Sequence, residues 1–150
     1  MVVAMAGGSK SHAIIALNIG AELHLQLRDQ DCNITGSDFS LALEESKFFV
    51  YPDAMIECSG NPLLIVEVLS PTTECFDRDY KRTLYHASPS ILDYLIVSQD
   101  RMLVEHDFRL STSHPWQTST YSNPNAQISL PSLGANLPLA SIYRLIKLSS

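Results

Sequence analysis

Along the first third of the chain, apolar residues recur at helical spacing between residues 11 and 28. Ile14, Leu17, Ala21 and Leu25, with His24 or Leu27 beside them, mark the stripe, and Ser11 is placed to cap it. Ahead of this helix, VVAM reads as the end of a strand followed by a Gly-Gly-Ser turn. Behind it the pattern shortens. Residues 32–35 and 39–43 read as short strands, and EESK reads as a solvated hairpin turn. Residues 48–58 read as a strand interrupted by Pro52, because proline cannot donate to a ladder. SGNP then turns the chain into residues 63–69, LLIVEVL, apolar enough to be buried on both faces. SPTTE opens a second helix, with Thr72 or Thr73 as cap and Glu74 suited to the positive end, running to about His86. Residues 92–97 and 102–108 read as a hairpin around SQDR, and the stretch from His114 to Leu130 holds two more short strands with a turn at SNPN. PLASIYRLIKL reads as a short C-terminal helix. This order implies a mixed α/β fold with a central sheet flanked by helices.

Glu67 is out of place in that apolar run. A carboxylate is almost never buried without a partner, because losing water costs several kcal/mol or more. Alternation puts Leu63, Ile65, Glu67 and Leu69 on one face. If SGNP closes a hairpin, Asp53 converges with Glu67 on one side of the sheet. Two carboxylates in an apolar setting repel, so either one takes a proton or a cation sits between them. Oxygen donors of this kind suit Mg²⁺ or Mn²⁺. Asp77, Lys81 and Tyr85 follow at helical spacing along one face of the next helix, and from there the Lys81 ammonium can reach the site. Each has an ordinary alternative. Glu67 pairs structurally with Lys81, Arg78 or Arg82; Asp53 is a turn residue; Lys81 pairs with Asp77 on a solvated face; Tyr85 packs.

Composition narrows the class. With 45% hydrophobic and 17% charged residues in a chain of 150, a disordered protein is excluded and one domain spanning 1–150 is expected. No run approaches the ~20 apolar residues of a membrane span. The start lacks a basic, apolar leader, so the expected location is the cytoplasm. Three cysteines without a CxxC pair point to neither a disulfide framework nor a zinc site. The net charge of −6 argues against non-specific nucleic-acid binding by the whole surface, though not against a local basic cleft.

YPDAMIEC, PLLIVEVLSPTTECFDRDYKRTLY and SILDYLIV closely resemble the Uma2 family, also called DUF820, of the PD-(D/E)XK nuclease-like superfamily. The likeness runs from Met1 to about Tyr143. It implies a restriction-endonuclease-like α/β core. Pro52-Asp53 looks like the PD of the superfamily name, and Glu67 like its acidic residue. The superfamily's lysine two residues beyond the glutamate is Leu69 here, and Lys81 on the next helix is its substitute. The chain also looks like an N-terminally short member. The resemblance implies an endonuclease that hydrolyses phosphodiester bonds in DNA with Mg²⁺ or Mn²⁺, working as a homodimer. Asp53 and Glu67 would hold the metal, and Lys81 would join them in catalysis. His12, Glu22, Asp77 and Tyr85 are supporting candidates, His12 because the family carries a histidine there and Glu22 because such folds take an acidic residue from the first helix. The competing expectation is a catalytically degenerate module that binds nucleic acid or a protein partner. A third is a structural core in which Glu67 and Lys81 neutralise one another.

Overall fold

In the computed structural model, residues 9–43, 47–69 and 74–148 are described, without the side chains of Phe48 and residues 74–78. The strand-like start, the EES of the first hairpin turn and the SPTT segment with both candidate caps lie outside them. The chain runs α1 (Lys10–Leu27), β1 (Cys32–Gly36), β2 (Leu41–Leu43), β3 (Phe48–Val50), β4 (Ala54–Cys58), β5 (Asn61–Leu69), α2 (Glu74–His86), β6 (Asp93–Ser98), β7 (Val104–Phe108), β8 (Gln117–Tyr121), β9 (Gln127–Leu130), a 3₁₀ turn (Pro131–Leu133), β10 (Ala135–Pro138) and α3 (Leu139–Ile142).

Six strands form the central mixed sheet in the order β1-β4-β5-β6-β7-β8. Among the described residues only β5 and β6 pair in parallel, because α2 carries the chain back between them; the other pairs are antiparallel. The β4–β5 turn has two residues, Ser59 and Gly60, both at positive φ (51° and 82°), which matches the twist of a tight hairpin. Alternation along β5 sorts its side chains between two cores. Leu64, Val66 and Val68 face α1, β9, β10 and α3. Ile65 and Leu69 join Leu84 and Tyr85 of α2, with Leu41 and Leu43 of the separate β2–β3 ribbon, on the other face. Glu67 shares that second face.

Several local expectations change. Ser9, not Ser11, caps α1 by accepting from the His12 amide at 3.1 Å. The buried stripe of α1 is Ile15, Ile19, Leu23 and Leu27, while Leu17 and Leu25 stand in solvent. The helix carries two apolar stripes, and only packing selects between them. The two strands expected around the SNPN turn form as β8 and β9, in different sheets: β8 is the edge of the large sheet, and β9 pairs with β10. The C-terminal helix stops after one turn. Leu145 takes a left-handed φ of 59°, and the Asn18 amide instead binds the carbonyls of Ile142 and Arg144 at 3.0 and 3.1 Å. The cysteine expectation is overturned. Register sets Cys32 directly across from Cys58, and the two form a disulfide. An odd cysteine count cannot reveal a cross-strand neighbour 26 residues away. Among the described residues no helix is long and apolar enough to cross a membrane.

Candidate active site

The β4–β5 ladder sets Ala54 opposite Val66, so Asp53, one residue before β4, arrives beside Glu67. Proline at 52 and the bend at 53 end β3 and turn the chain there. The Asp53 carboxylate takes up an amide at this end of β5: Val68 N–H donates to Oδ2 at 2.7 Å. Its other oxygen meets His12 Nε2 at 3.1 Å, from the first turn of α1. The fold thus fixes Asp53 from two elements far apart in sequence.

Glu67 is 3% exposed and is held from α2. Lys81 and Tyr85, one helical turn apart, both reach its Oε1. Tyr85 donates at 2.7 Å, and the Lys81 ammonium lies at 3.4 Å. Burial pushes the Glu67 carboxyl up to about 7; the Asp53 charge adds to this, while Lys81 and the hydrogen bonds from Tyr85 and Lys81 oppose it. His12 is shifted upward chiefly by its hydrogen bond to Asp53, against desolvation, with the charges of Asp53 and Glu67 helping. Desolvation and the neighbouring Glu67 charge likewise raise Tyr85, which stays a neutral donor. His12 and Lys81 keep side-chain exposures of 22% and 27%, so the cluster is buried at Glu67 and wet at its rim.

Five of the seven sequence candidates therefore meet: His12, Asp53, Glu67, Lys81 and Tyr85. Glu22 does not join them. It lies farther along α1, where it accepts from Gln26 at 3.1 Å. Asp77 falls within α2, but its side chain is outside the described residues. Leu69, at the position of the superfamily lysine, is 8% exposed and packs in the second core, so Lys81 is the cation beside Glu67.

Two carboxylates stand here rather than a full cage. Among the described residues no group of three or more His, Cys, Asp or Glu is set to hold an ion. A carboxylate pair is nevertheless a donor set that Mg²⁺ uses when water and phosphate complete its shell. The desolvated, mutually repelling charge that lifts Glu67 to about 7 is the kind a cation relieves.

The sequence model of the Uma2 family, described as "Putative restriction endonuclease", matches residues 1–140. The chain belongs to the Uma2 family. Two relatives from Synechocystis sp. (strain ATCC 27184 / PCC 6803 / Kazusa) are similar to it. "Uncharacterized protein slr1290" is 30% identical over 95% of this chain and 80% of its own length. "Uncharacterized protein sll1609" is 30% identical over 85% of this chain and 78% of its own. A crystal structure described as a "putative nuclease belonging to DUF820" from Anabaena variabilis ATCC 29413 matches with a TM-score of 0.72. At 12% identity, over 95% of this chain and 86% of that one, it supports the shared fold.

Sequence reasoning missed a second polar cluster that docks α2. Asp107 on β7 is fully buried and accepts from Arg82 through Nε and, at 2.7 Å, through the guanidinium end. His86 at 2.7 Å and Thr118 at 2.8 Å complete its shell. Desolvation pushes the Asp107 carboxyl up, but the bonds from Arg82, Thr118 and His86 outweigh it and hold it below its ordinary value. Arg82 and His86 repeat the spacing of Lys81 and Tyr85 one position on. That spacing, facing the alternating Glu105 and Asp107, is the signal that could have found the cluster.

Proposed function

We propose that this Uma2 chain, as one domain over residues 1–150, is a metal-dependent endonuclease that hydrolyses phosphodiester bonds in DNA. The convergence of Asp53 and Glu67, with Lys81 at their edge, carries this reading. Asp53 and Glu67 would hold Mg²⁺ or Mn²⁺. When bound, the ion supplies Lewis acidity toward a phosphate oxygen and a more acidic water. The chain's own groups do the remainder. Tyr85 fixes one Glu67 oxygen, and His12 with the Val68 amide fixes Asp53, so neither carboxylate needs to reorganise. Lys81 is the positive group for a water or a non-bridging phosphate oxygen. His12 is a positioning residue and a route for a proton at the wet rim. A homodimer suits cleavage of both strands of a duplex, since most oligomers are symmetric. Leu69 in place of the superfamily lysine favours the second reading, a degenerate module that binds nucleic acid without cutting it.

The test is cleavage of supercoiled and linear DNA, with RNA beside them, in Mg²⁺ or Mn²⁺. The parent should cut DNA, and Asp53→Asn, Glu67→Gln and Lys81→Met should each lose about 100-fold or more. Lys81→Met should keep its metal affinity. A folded parent that cuts nothing but retains duplex DNA in a gel points to the binding module. Cutting that survives Glu67→Gln overturns the reading.

A further inference from the structure

Helix α1 is apolar on both of its sides. Ile15, Ile19, Leu23 and Leu27 face the sheet and are buried. On the side away from them Ala13, Leu17, Ala21 and Leu25 recur at every fourth residue and stand in water, Leu17 at 74% and Leu25 at 60% exposure. A helix that is apolar all round is normally buried all round. A second element extends the row. Asn18, on its flank, binds the carbonyls of Ile142 and Arg144 and so holds the segment after α3 beside α1. There Leu145 takes its left-handed φ and is 80% exposed. That backbone region is costly for a residue other than glycine, and here it leaves a leucine in water.

The cations around this row are unpaired. Lys10 and Arg28 are 18 residues apart, about five helical turns, so they point the same way and mark the two ends of the outer side, about 27 Å from each other. Arg144 stands exposed next to Leu145. Among the described residues none of these three has an ion pair. Between Lys10 and Arg28 the one carboxylate is Glu22, which lies on the Asn18 flank and is engaged by Gln26. In a chain of net charge −6, the surface here is apolar with a basic border.

We propose that the outer side of α1, with Leu145, is a docking surface for an acidic amphipathic helix of a partner protein, separate from the Asp53–Glu67 cluster. Small and large residues alternate in a single i, i+4 row. They leave hollows at Ala13 and Ala21 beside ridges at Leu17 and Leu25, the relief into which the ridge of a second helix packs. Such a helix presents apolar residues at i, i+3, i+4 and i+7, and carboxylates flanking them meet Lys10, Arg28 and Arg144. A second copy docked through the same side would bring like cations together. A nucleic-acid backbone would meet the cations and leave the leucines in water. A fluid lipid surface matches no such relief.

The test uses the full chain and three peptides of about 18 residues, the length of α1, read by fluorescence anisotropy and by backbone amide shifts. The first is helical, with leucines at i, i+3, i+4 and i+7 and glutamates on both flanks. The second carries lysine for each glutamate. The third has the composition of the first with its leucines spread around the helix. The glutamate peptide should bind saturably with Kd below about 0.1 mM, shifting α1 and residues 144–146. The other two should bind at least about tenfold more weakly. Leu17→Gln and Leu25→Gln, both at exposed positions, should keep the fold and each weaken binding about tenfold. Lys10→Glu combined with Arg28→Glu should turn the preference toward the lysine peptide. The proposal is overturned if the folded parent binds no glutamate peptide, binds it no better than the lysine peptide, or keeps binding it after Leu17→Gln. A parent dimer that Leu17→Gln dissolves in sedimentation also overturns it, giving the surface to a second copy. So does capture on phosphatidylserine vesicles that Leu17→Gln abolishes, giving it to lipid.

Discussion

Glu67 is stabilised as a neutral group as much as a charged one, because burial and the Asp53 charge lift its pKa from 4.5 to about 7. Across that window the folded chain binds more protons than the unfolded chain, so stability falls as pH rises. His12 acts in the same direction. Its pKa is also raised, and its contribution is complete below 6.5 and lost as pH climbs through the higher folded value. Urea unfolding in chelator should therefore show the parent losing stability between pH 5 and pH 8. Glu67→Gln should remove a share on the order of 2–3 kcal/mol of that loss while keeping the share due to His12. A parent whose stability rises over the same range would contradict the raised Glu67 pKa. The anomaly of one carboxylate inside LLIVEVL was legible in the sequence, as were Asp53, Lys81 and Tyr85. The bond from Asp53 to the Val68 amide was not, because it depends on where the bend at Pro52 leaves the chain.

At the level of elements, α2 is pinned at two places by side chains one position apart. Lys81 and Tyr85 face Glu67; Arg82 and His86 face Asp107. Removing Asp107 takes the shared acceptor from Arg82, His86 and Thr118 and leaves Arg82 its longer pairing with Glu105 at 3.4 Å. Asp107→Ala should cost about 3 kcal/mol in chemical unfolding, since a buried charged network loses its centre. Thr118→Val, which removes one donor to Asp107, should cost about 1 kcal/mol. Equal costs for the two would remove Asp107 from the centre of the network. The strands and both long helices were readable from periodicity and turn residues. The buried stripe of α1 was not, because Leu17 and Leu25 are as apolar as Ile15 and Leu23. The C-terminal helix was over-read for a tertiary reason: Asn18 draws the carbonyls of Ile142 and Arg144 out of helical pairing. Cysteine parity failed where register succeeds. Denatured without reductant, the chain should take up one iodoacetamide, at Cys75; with reductant it should take up three. Three without reductant would contradict the Cys32–Cys58 bond.

Taken whole, the molecule uses the two faces of one sheet differently. The α2 face gathers the acidic pair and its cation, at the end of β5 where the parallel crossover begins. The α1 face carries the larger apolar core and the Asp93–His106 pair. Within the α1 face, Gln26 bonds both the amide and the carbonyl of Asn136 at 3.0 and 2.7 Å and so fastens β10 to α1. Tyr143 does the same at the other end, with its hydroxyl 2.8 Å from the Ser98 carbonyl. The acidic site thus rests on a frame braced far from it. With an overall charge of −6, the proposed contact with a phosphate would fall to local groups, chiefly Lys81. Whether Asp53 and Glu67 act together on a divalent cation, as proposed, is decided by calorimetric titration with Mn²⁺. The parent at pH 8 should bind one or two ions, more weakly as pH falls below about 7, where Glu67 takes its proton. Asp53→Asn and Glu67→Gln should bind none while remaining folded. A folded parent that binds no Mn²⁺ would contradict the account and leave Glu67 as the structural partner of Lys81.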